Sequence, residues 1–159
     1  MIPEQVAILE AMEIRLLPLK QLGDRPEALE LHSSHFILLL MADTREMAAD
    51  QIGDFSEWCL KQGMVYLCAW GPDCERVHDI ADEVLVMNEI ALGHELSLIM
   101  TTWHTKDELK DVLWFALHSA FPDEIFVETC KTLLIVTLNN PGWESQVREL
   151  FKQTDYFPG

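Results

Sequence analysis

Two continuously apolar runs dominate the pattern of hydrophobic and polar positions along the chain. Residues Phe36–Ala42 and Met64–Trp70 contain no charged side chain. Short runs without polar alternation are typical of strands that are covered on both faces in a parallel sheet. The pattern therefore predicts strands at His35–Ala42 and Val65–Trp70.

After each of these runs, the sequence predicts a helix. Apolar residues at positions 48, 52, 55 and 59 predict a helix that ends at about Gln62, with Thr44 as its N-cap and Gly63 just past its end. Gly71-Pro72 predicts the start of the next helix. Residues Val84–Met87 fit either a continuation of that helix or a short strand, and their β-branched content favours the strand.

The second half of the chain repeats this alternation. Leu96–Thr102 is predicted to be a strand, and Thr105 with Glu108 has the spacing of a capping box for a helix that runs to about residue 120. A last strand region follows at Ile125–Leu138. Asn140 and Pro141 then suit the N-cap and first turn of a final helix.

The first 31 residues fit two descriptions. Apolar residues at 2, 6, 9, 12 and 16 have helical spacing, whereas Glu13–Leu19 could form a short edge strand that is ended by Pro18. The chain length suits one domain covering residues 1–159. Strand and helix alternate about four times, which predicts a three-layer α/β/α sandwich, Rossmann-like or flavodoxin-like, with a mostly parallel sheet of about four to five strands.

The net charge of the chain indicates which kinds of partner it could bind. The chain has 27 acidic and 11 basic residues, a net charge of −16, and its basic residues are scattered with no two adjacent. Binding to nucleic acid or to anionic lipid needs a clustered basic patch, so we expect neither nucleic acid nor a membrane as a partner. A strongly acidic surface favours solubility and would speed association with a protein that has a basic surface. An apolar helix stripe widened by Trp114 and Phe115 could also serve a homodimer.

The sequence lacks the patterns of a membrane span, a signal peptide and the common cofactor-binding motifs. No apolar run is long enough to span a membrane, and the N-terminus lacks the pattern of a signal peptide, so we expect a cytoplasmic protein with four reduced cysteines. Phosphate-binding, dinucleotide-binding, α/β-hydrolase and zincin motifs are missing. His78 and His104 with nearby aspartates match no known metal-ligand spacing. We therefore expect neither a cofactor nor a metal.

Candidate binding residues follow several of the predicted strands. Because the carboxyl ends of parallel strands meet at one edge of a sheet, the segments that leave those ends should lie close together. Asn139 and Asn140 follow the last strand. The residues predicted to bind a ligand at this edge are Asp43, Trp70, Asp73, Glu75, Thr102 and Trp103.

Cys74 is the sharpest candidate for catalysis. It would lie in the first turn of a helix, where the helix dipole favours a thiolate, with His78 one turn later and His104 at a neighbouring strand end. A cysteine and a histidine are the minimum for nucleophilic catalysis. However, Asp73 and Glu75 flank the sulfur and oppose its ionisation, and a half-buried structural thiol is the favoured interpretation.

Three segments resemble a known family. CAWGPDCERVHDIADEV (Cys68–Val84), MTTWH (Met100–His104) and DELKDVLWFAL (Asp107–Leu117) are similar to a family of small bacterial proteins that is classed as a domain of unknown function. The resemblance spans about residues 36 to 151. It implies a bacterial origin and a single domain, and it implies no activity, substrate or cofactor.

These observations favour a non-enzymatic binding module. The partner would be a protein or a small ligand held at the strand-end edge, and an immunity-like or antitoxin-like role against a basic protein is one version of this hypothesis. The alternative is a cysteine-dependent hydrolase or transferase that uses Cys74 with His78 or His104.

Overall fold

The computed structural model describes residues 1–92 and 98–153, with no description of the side chains of residues 91 and 92. This part of the chain holds six strands, four α-helices and two short 3-10 helices. The strands are β1 Glu4–Leu9, β2 Met12–Leu19, β3 His35–Met41, β4 Met64–Trp70, β5 Met100–His104 and β6 Cys130–Leu138. The helices are α1 Ala49–Gln62, α2 Cys74–Leu92, α3 Leu109–His118 and α4 Pro141–Lys152, and the 3-10 helices are Leu22–Asp24 and Glu124–Phe126.

All six strands form one sheet in the order β1-β2-β6-β3-β4-β5. Strand β1 pairs antiparallel with β2, and every other neighbouring pair is parallel. The predicted α/β fold of Rossmann or flavodoxin type is therefore confirmed. The sheet has more strands than expected because an N-terminal hairpin extends it.

Helices cover both faces of the sheet, as the continuous apolar runs require. In β3, Phe36, Leu38 and Leu40 pack into the core on the side of α1 and α2. Ile37 and Leu39 alternate with them and pack into a second core with residues of α3 and α4. Because a strand in this position has no face exposed to solvent, both sets of alternate positions must be apolar.

The N-terminal segment forms the hairpin β1–β2, so the helical description of residues 1–31 is wrong. Strand β2 lies between β1 and β6 and is not an edge strand. Pro18 is accommodated inside β2 because the pairing with β1 extends only as far as Leu16, so the missing N–H removes no hydrogen bond to β1. Arg15 is buried and donates to the carbonyl of Pro3 at 2.9 Å, which ties the hairpin together.

Two other local predictions in the first half are wrong. Val84–Met87 is helical, since Leu85 continues the buried stripe of Val77 and Ala81 at a spacing of four residues. Thr44 does not cap α1, which begins five residues later. The N-cap of α1 is Ala48.

The second half differs from prediction mainly at the element ends. Helix α3 begins at Leu109 with Glu108 as its N-cap, so Thr105 and Glu108 form no capping box. Strand β5 occupies Met100–His104, and residues 96 and 97 of the predicted strand lie outside the described residues. In contrast, Asn140 caps α4 as predicted, because its Oδ1 accepts from the amide of Trp143 at 3.0 Å.

Within the described ranges, no helix has the length and apolar character needed to cross a membrane.

Candidate functional site

The strand order reverses between β6 and β3. From β3 the chain moves outward to β4 and then β5, and it returns to place β6 on the other side of β3. Helix α1 leaves β3 towards one face of the sheet, and α4 leaves β6 towards the opposite face. The segments that leave two adjacent strands therefore separate and open a crevice, which is the usual ligand position in sheets of this type.

A cleft of about 670 Å³ lies at this reversal. Its wall is built from the residues that follow β2, β3 and β6 and from the starts of α1 and α4. They are Lys20, Gln21, Leu22, Asp43, Arg45, Glu46, Met47, Gln51, Leu138, Asn139, Asn140 and Trp143. We call this the switch-point cleft. The predicted convergence of Asp43 with Asn139 and Asn140 is found here.

The segment between β3 and α1 is held from the side of α2. Arg76 donates to the carbonyl oxygens of Thr44 at 3.0 Å and of Met47 at 2.7 Å. The Thr44 hydroxyl donates towards the carbonyls of Pro72 and Asp73 at 3.4 and 3.3 Å. Thr44 is fully buried, which explains why it fastens two loops instead of capping a helix. These contacts place Asp43, Arg45 and Met47 against the cleft.

An ion pair stands at the cleft rim. The guanidinium of Arg45 donates to both carboxylate oxygens of Asp43, at 2.9 and 2.7 Å. This side-chain hydrogen bond, with a second from the Arg45 amide, lowers the pKa of Asp43 below its usual value. It also raises the pKa of Arg45. Both groups are exposed, so the pair can reopen in order to contact a ligand.

The β6 side of the cleft supplies amides and an aromatic ring. Asn139 has a left-handed backbone with φ of 47°, and its N–H donates to Leu19 at 2.7 Å. Asn residues tolerate this conformation well. The Trp143 ring packs edge-on against Trp70, with ring centroids 5.1 Å apart. Trp70 is fixed in turn by a hydrogen bond from its Nε1 to the carbonyl of Asp107 at 2.8 Å.

Cys74 is buried at the first position of α2, on the face of the sheet that α1 and α2 cover. Burial raises the pKa of its thiol. A backbone hydrogen bond at His104 works in the opposite direction, and the charges of Asp73 and Glu75 raise the pKa further. The shift of the Cys74 pKa therefore disfavours the thiolate that a cysteine nucleophile needs.

The imidazole rings of His78 and His104 both make their hydrogen bonds to groups other than the Cys74 thiol. Nδ1 of His78 lies 2.8 Å from the Thr101 hydroxyl, and its Nε2 lies 3.4 Å from the carboxylate of Asp82. Its ring stacks on Trp103 with centroids 4.4 Å apart. Both ring nitrogens are thus occupied by partners other than the sulfur. The one-turn spacing from Cys74 does not bring the two groups together.

His104 lies on the opposite face of the sheet from Cys74. Its Nε2 is 2.9 Å from the Thr102 hydroxyl, its Nδ1 is 2.9 Å from the Asp107 carboxylate, and its ring packs on Phe115 of α3. Only its backbone is near the sulfur. Neither His78 nor His104 therefore forms a thiol–imidazole pair with Cys74.

The remaining predicted binding residues lie along the same edge but away from the cleft. Asp73 has a left-handed backbone, with φ of 66°, at the turn into α2, and its carboxylate is 3.8 Å from Arg76. Glu75 is exposed in the first turn of α2. Thr102 and Trp103 belong to β5, three strands away from β6. Of the predicted binding residues, Asp43 alone lines the switch-point cleft.

Several cleft residues were missed by the sequence interpretation. Lys20 and Gln21 follow β2, and they could be found only by recognising Glu13–Leu19 as an interior parallel strand. Arg45 stands three residues after the end of the predicted strand His35–Ala42, and Trp143 stands in the first turn of a correctly predicted helix. These two could have been included by their position alone. No group of three or more His, Cys, Asp or Glu suited to a metal ion occurs among the described residues.

The fold and this site define a class of protein: an α/β sandwich with a polar cleft at the reversal of its strand order. Residues 14–154 match a domain of unknown function (DUF7684), and the chain belongs to that family. The match begins within β2 and includes the other four strands of the parallel part of the sheet. No curated protein and no solved structure matches the chain.

Proposed function

We propose that the protein is a binding module for a small polar ligand and that the switch-point cleft is its binding site. One observation carries this proposal: the cleft lies where the strand order reverses, at the carboxyl ends of β6 and β3. In open α/β sheets that position is the general site of ligand binding, whatever the chemistry of the ligand.

The size of the cleft supports the proposal. At about 670 Å³, it falls within the range of ~300–1,000 Å³ that is typical of small-molecule sites. The wall is also supported from behind, because Arg76 and Thr44 hold the β3–α1 segment in place. A site with a fixed wall loses less conformational entropy on binding than one that must order itself.

The wall chemistry indicates the class of ligand. Lys20 and Arg45 are balanced by Asp43 and Glu46, and four amide side chains supply further donors and acceptors. Leu22, Met47, Leu138 and Trp143 add apolar surface. Groups of both charge signs on one wall suit a ligand that itself carries both signs, so we propose a small zwitterion such as a free amino acid or a close derivative.

A thermal-shift screen with the twenty free amino acids tests this proposal. Binding to the folded state alone raises the unfolding free energy by about 2.7 kcal/mol when the ligand is at 100 times its Kd, so a specific ligand gives a clear increase in Tm. An increase for one or a few related amino acids is expected. An equal response to all of them, or no response to any, would refute the proposal.

Asn139→Gly provides the matched variant. Glycine tolerates the backbone conformation at this position, so the variant removes the amide side chain from the cleft while the turn is kept. Glu10→Gly is the control, because Glu10 also has a left-handed backbone, with φ of 50°, and does not line the cleft. We expect the ligand-induced shift to be reduced in Asn139→Gly only. An equal reduction in both variants would mean that the effect is structural.

A further inference from the structure

A second concave surface lies on the outer side of α1 and α2. Its volume is about 420 Å³, and it runs between the two helices that cover one face of the sheet. Its lining residues are Ala49, Asp50, Gly53, Asp54, Glu57, Ile80, Glu83, Val84, Met87 and Asn88. We call this the α1–α2 groove. It is separate from the switch-point cleft and shares none of the cleft's lining residues.

The floor of the groove is apolar because α1 has a glycine, Gly53, at this position and so no side chain covers the floor. A Cβ built at Gly53 would lie 3.8 Å from Ile80 Cγ2 and 3.9 Å from Val84 Cγ2. Glycine costs up to about 1 kcal/mol in a helix interior relative to alanine, and no contact in this structure requires it here. Its effect is to leave Ile80 and Val84 partly exposed on the floor of the groove. Met87 extends the apolar strip and is 61% exposed.

The rim of the groove is acidic. Asp50, Asp54 and Glu57 follow one side of α1 at spacings of four and three residues, and Glu83 faces them from α2. Among the residues that the structure describes, none of these four carboxylates has an ion pair or a side-chain hydrogen bond. The lining contains no lysine or arginine. Four carboxylates thus surround an apolar strip with no internal counter-charge.

We propose that the α1–α2 groove binds a basic amphipathic helix of a partner protein. A third helix fits the groove between two packed helices, with its apolar side chains on the floor. Lysine or arginine residues on its flanks would pair with the four carboxylates. The acidic side of α1 runs from Asp50 to Glu57, or about 10 Å of helix, which corresponds to two turns of the bound segment. The flexible Met87 side chain adapts to the apolar residues of the partner.

Peptide binding tests this proposal directly. The probe is a fluorescent, helix-forming peptide of four turns with leucine on one face and lysine on its flanks, and binding is followed by fluorescence anisotropy with the full-length protein. One control peptide has glutamate in place of lysine, and a second has the same composition but a central proline. We expect the lysine helix alone to bind, with weaker binding at high salt. Absence of binding at the highest soluble peptide concentration would overturn the proposal, as would equal binding of the proline peptide.

Two sets of variants separate the groove from the general acidity of the protein. In the first, Asp50→Asn, Asp54→Asn, Glu57→Gln and Glu83→Gln are combined. The control combines Glu10→Gln, Asp111→Asn, Glu124→Gln and Glu149→Gln, which are exposed elsewhere, so both variants have the same net charge. The groove variant should bind about tenfold more weakly or worse, and the control should bind like the wild type. An equal loss in both would show non-specific attraction and overturn the proposal.

Gly53→Leu tests the shape of the groove without changing its charge. The new side chain would occupy the floor, and leucine favours the helix, so the fold should be retained. Gly23→Leu is the control, since nothing lies within 4 Å of a Cβ at Gly23. We expect Gly53→Leu to abolish peptide binding at an unchanged or higher Tm. Normal binding by this variant would overturn the proposal, and neither result depends on the ligand of the switch-point cleft.

Discussion

Replacing Gly71 with alanine should destabilise the protein strongly, because the turn after β4 crosses the end of β3 at very close range. A Cβ at Gly71 would lie 2.1 Å from the carbonyl oxygen of Ala42 and 2.9 Å from its carbonyl carbon. Both atoms are backbone, so no side chain can move to relieve the overlap. In addition, Gly71 has φ of +116°, a conformation that alanine rarely adopts.

The magnitude follows from two contributions. Holding a non-glycine residue in a sparsely populated backbone region costs about 1–3 kcal/mol. Relieving the overlap requires the two loops to separate by about 1 Å, which lengthens the 3.0 Å hydrogen bond from the Ala42 amide to Trp70 and costs about 1 kcal/mol more. We therefore expect Gly71→Ala to lower the free energy of unfolding by about 3 kcal/mol, a large part of the usual 5–15 kcal/mol of a domain.

Urea unfolding measures this effect, with Gly53→Ala as the control. The same substitution at Gly53 meets only ordinary van der Waals contacts and improves helix propensity, so it should raise the free energy of unfolding by about 0.5–1 kcal/mol. For Gly71→Ala, the midpoint should fall by roughly 1–2 M urea at an unchanged m-value. A loss below about 1 kcal/mol, or shifts of the same sign in both variants, would refute the argument from loop crossing.

Three further predictions concern the loops, the thiols and the hairpin. Arg76→Ala should lower the free energy of unfolding by about 1–3 kcal/mol in urea titrations, because two carbonyls lose their donor. Arg148→Ala is the control: it breaks an exposed ion pair with Glu4 and should lower the free energy of unfolding by less than about 1 kcal/mol. Burial raises the pKa of Cys130 to about 11 and that of Cys68 to about 12. Between about pH 9 and 11 the unfolded chain therefore loses thiol protons that the folded chain keeps, so the free energy of unfolding should fall as pH rises. Cys130→Ala should make that fall shallower in the same titrations, and an unchanged slope would argue against the thiol as its source. Arg15→Ala should lower Tm by several degrees, since the buried guanidinium joins β1 to β2, and a Tm equal to that of the wild type would contradict that role.

The interior of the fold was readable from the sequence because it depends on local patterns. Strands covered on both faces have no polar positions, so β3 and β4 were located to within a residue. Gly63 ends α1 as expected, with φ of 109°. The N-terminal hairpin was not readable in this way. Polar and apolar residues do not alternate regularly along β1 and β2, so that helical spacing arises by coincidence.

The candidate site depended on information that no local pattern contains. Alternation of strands and helices indicates that strand ends share an edge, but it leaves the order of the strands undetermined. The position of β6 beside β3, with β5 at the far edge, decides that Asp43 faces Asn139 and that His104 lies elsewhere. Such pairings join residues about 100 positions apart.

The same order explains why the edge is open at one end and filled at the other. Between β3 and β4, and between β4 and β5, both connecting helices lie on one face, so successive loops run alongside each other and pack. Arg76 and Thr44 show this packing, since they join the loop after β3 to the loop after β4. Between β6 and β3 the helices leave towards opposite faces, so the segments that lead into them diverge and leave a space between them. A cleft is therefore a geometric consequence of reversing the strand order, and we expect ligand binding at this edge beside Asp43 and Asn139, whereas Cys74 is buried in the core at the start of α2.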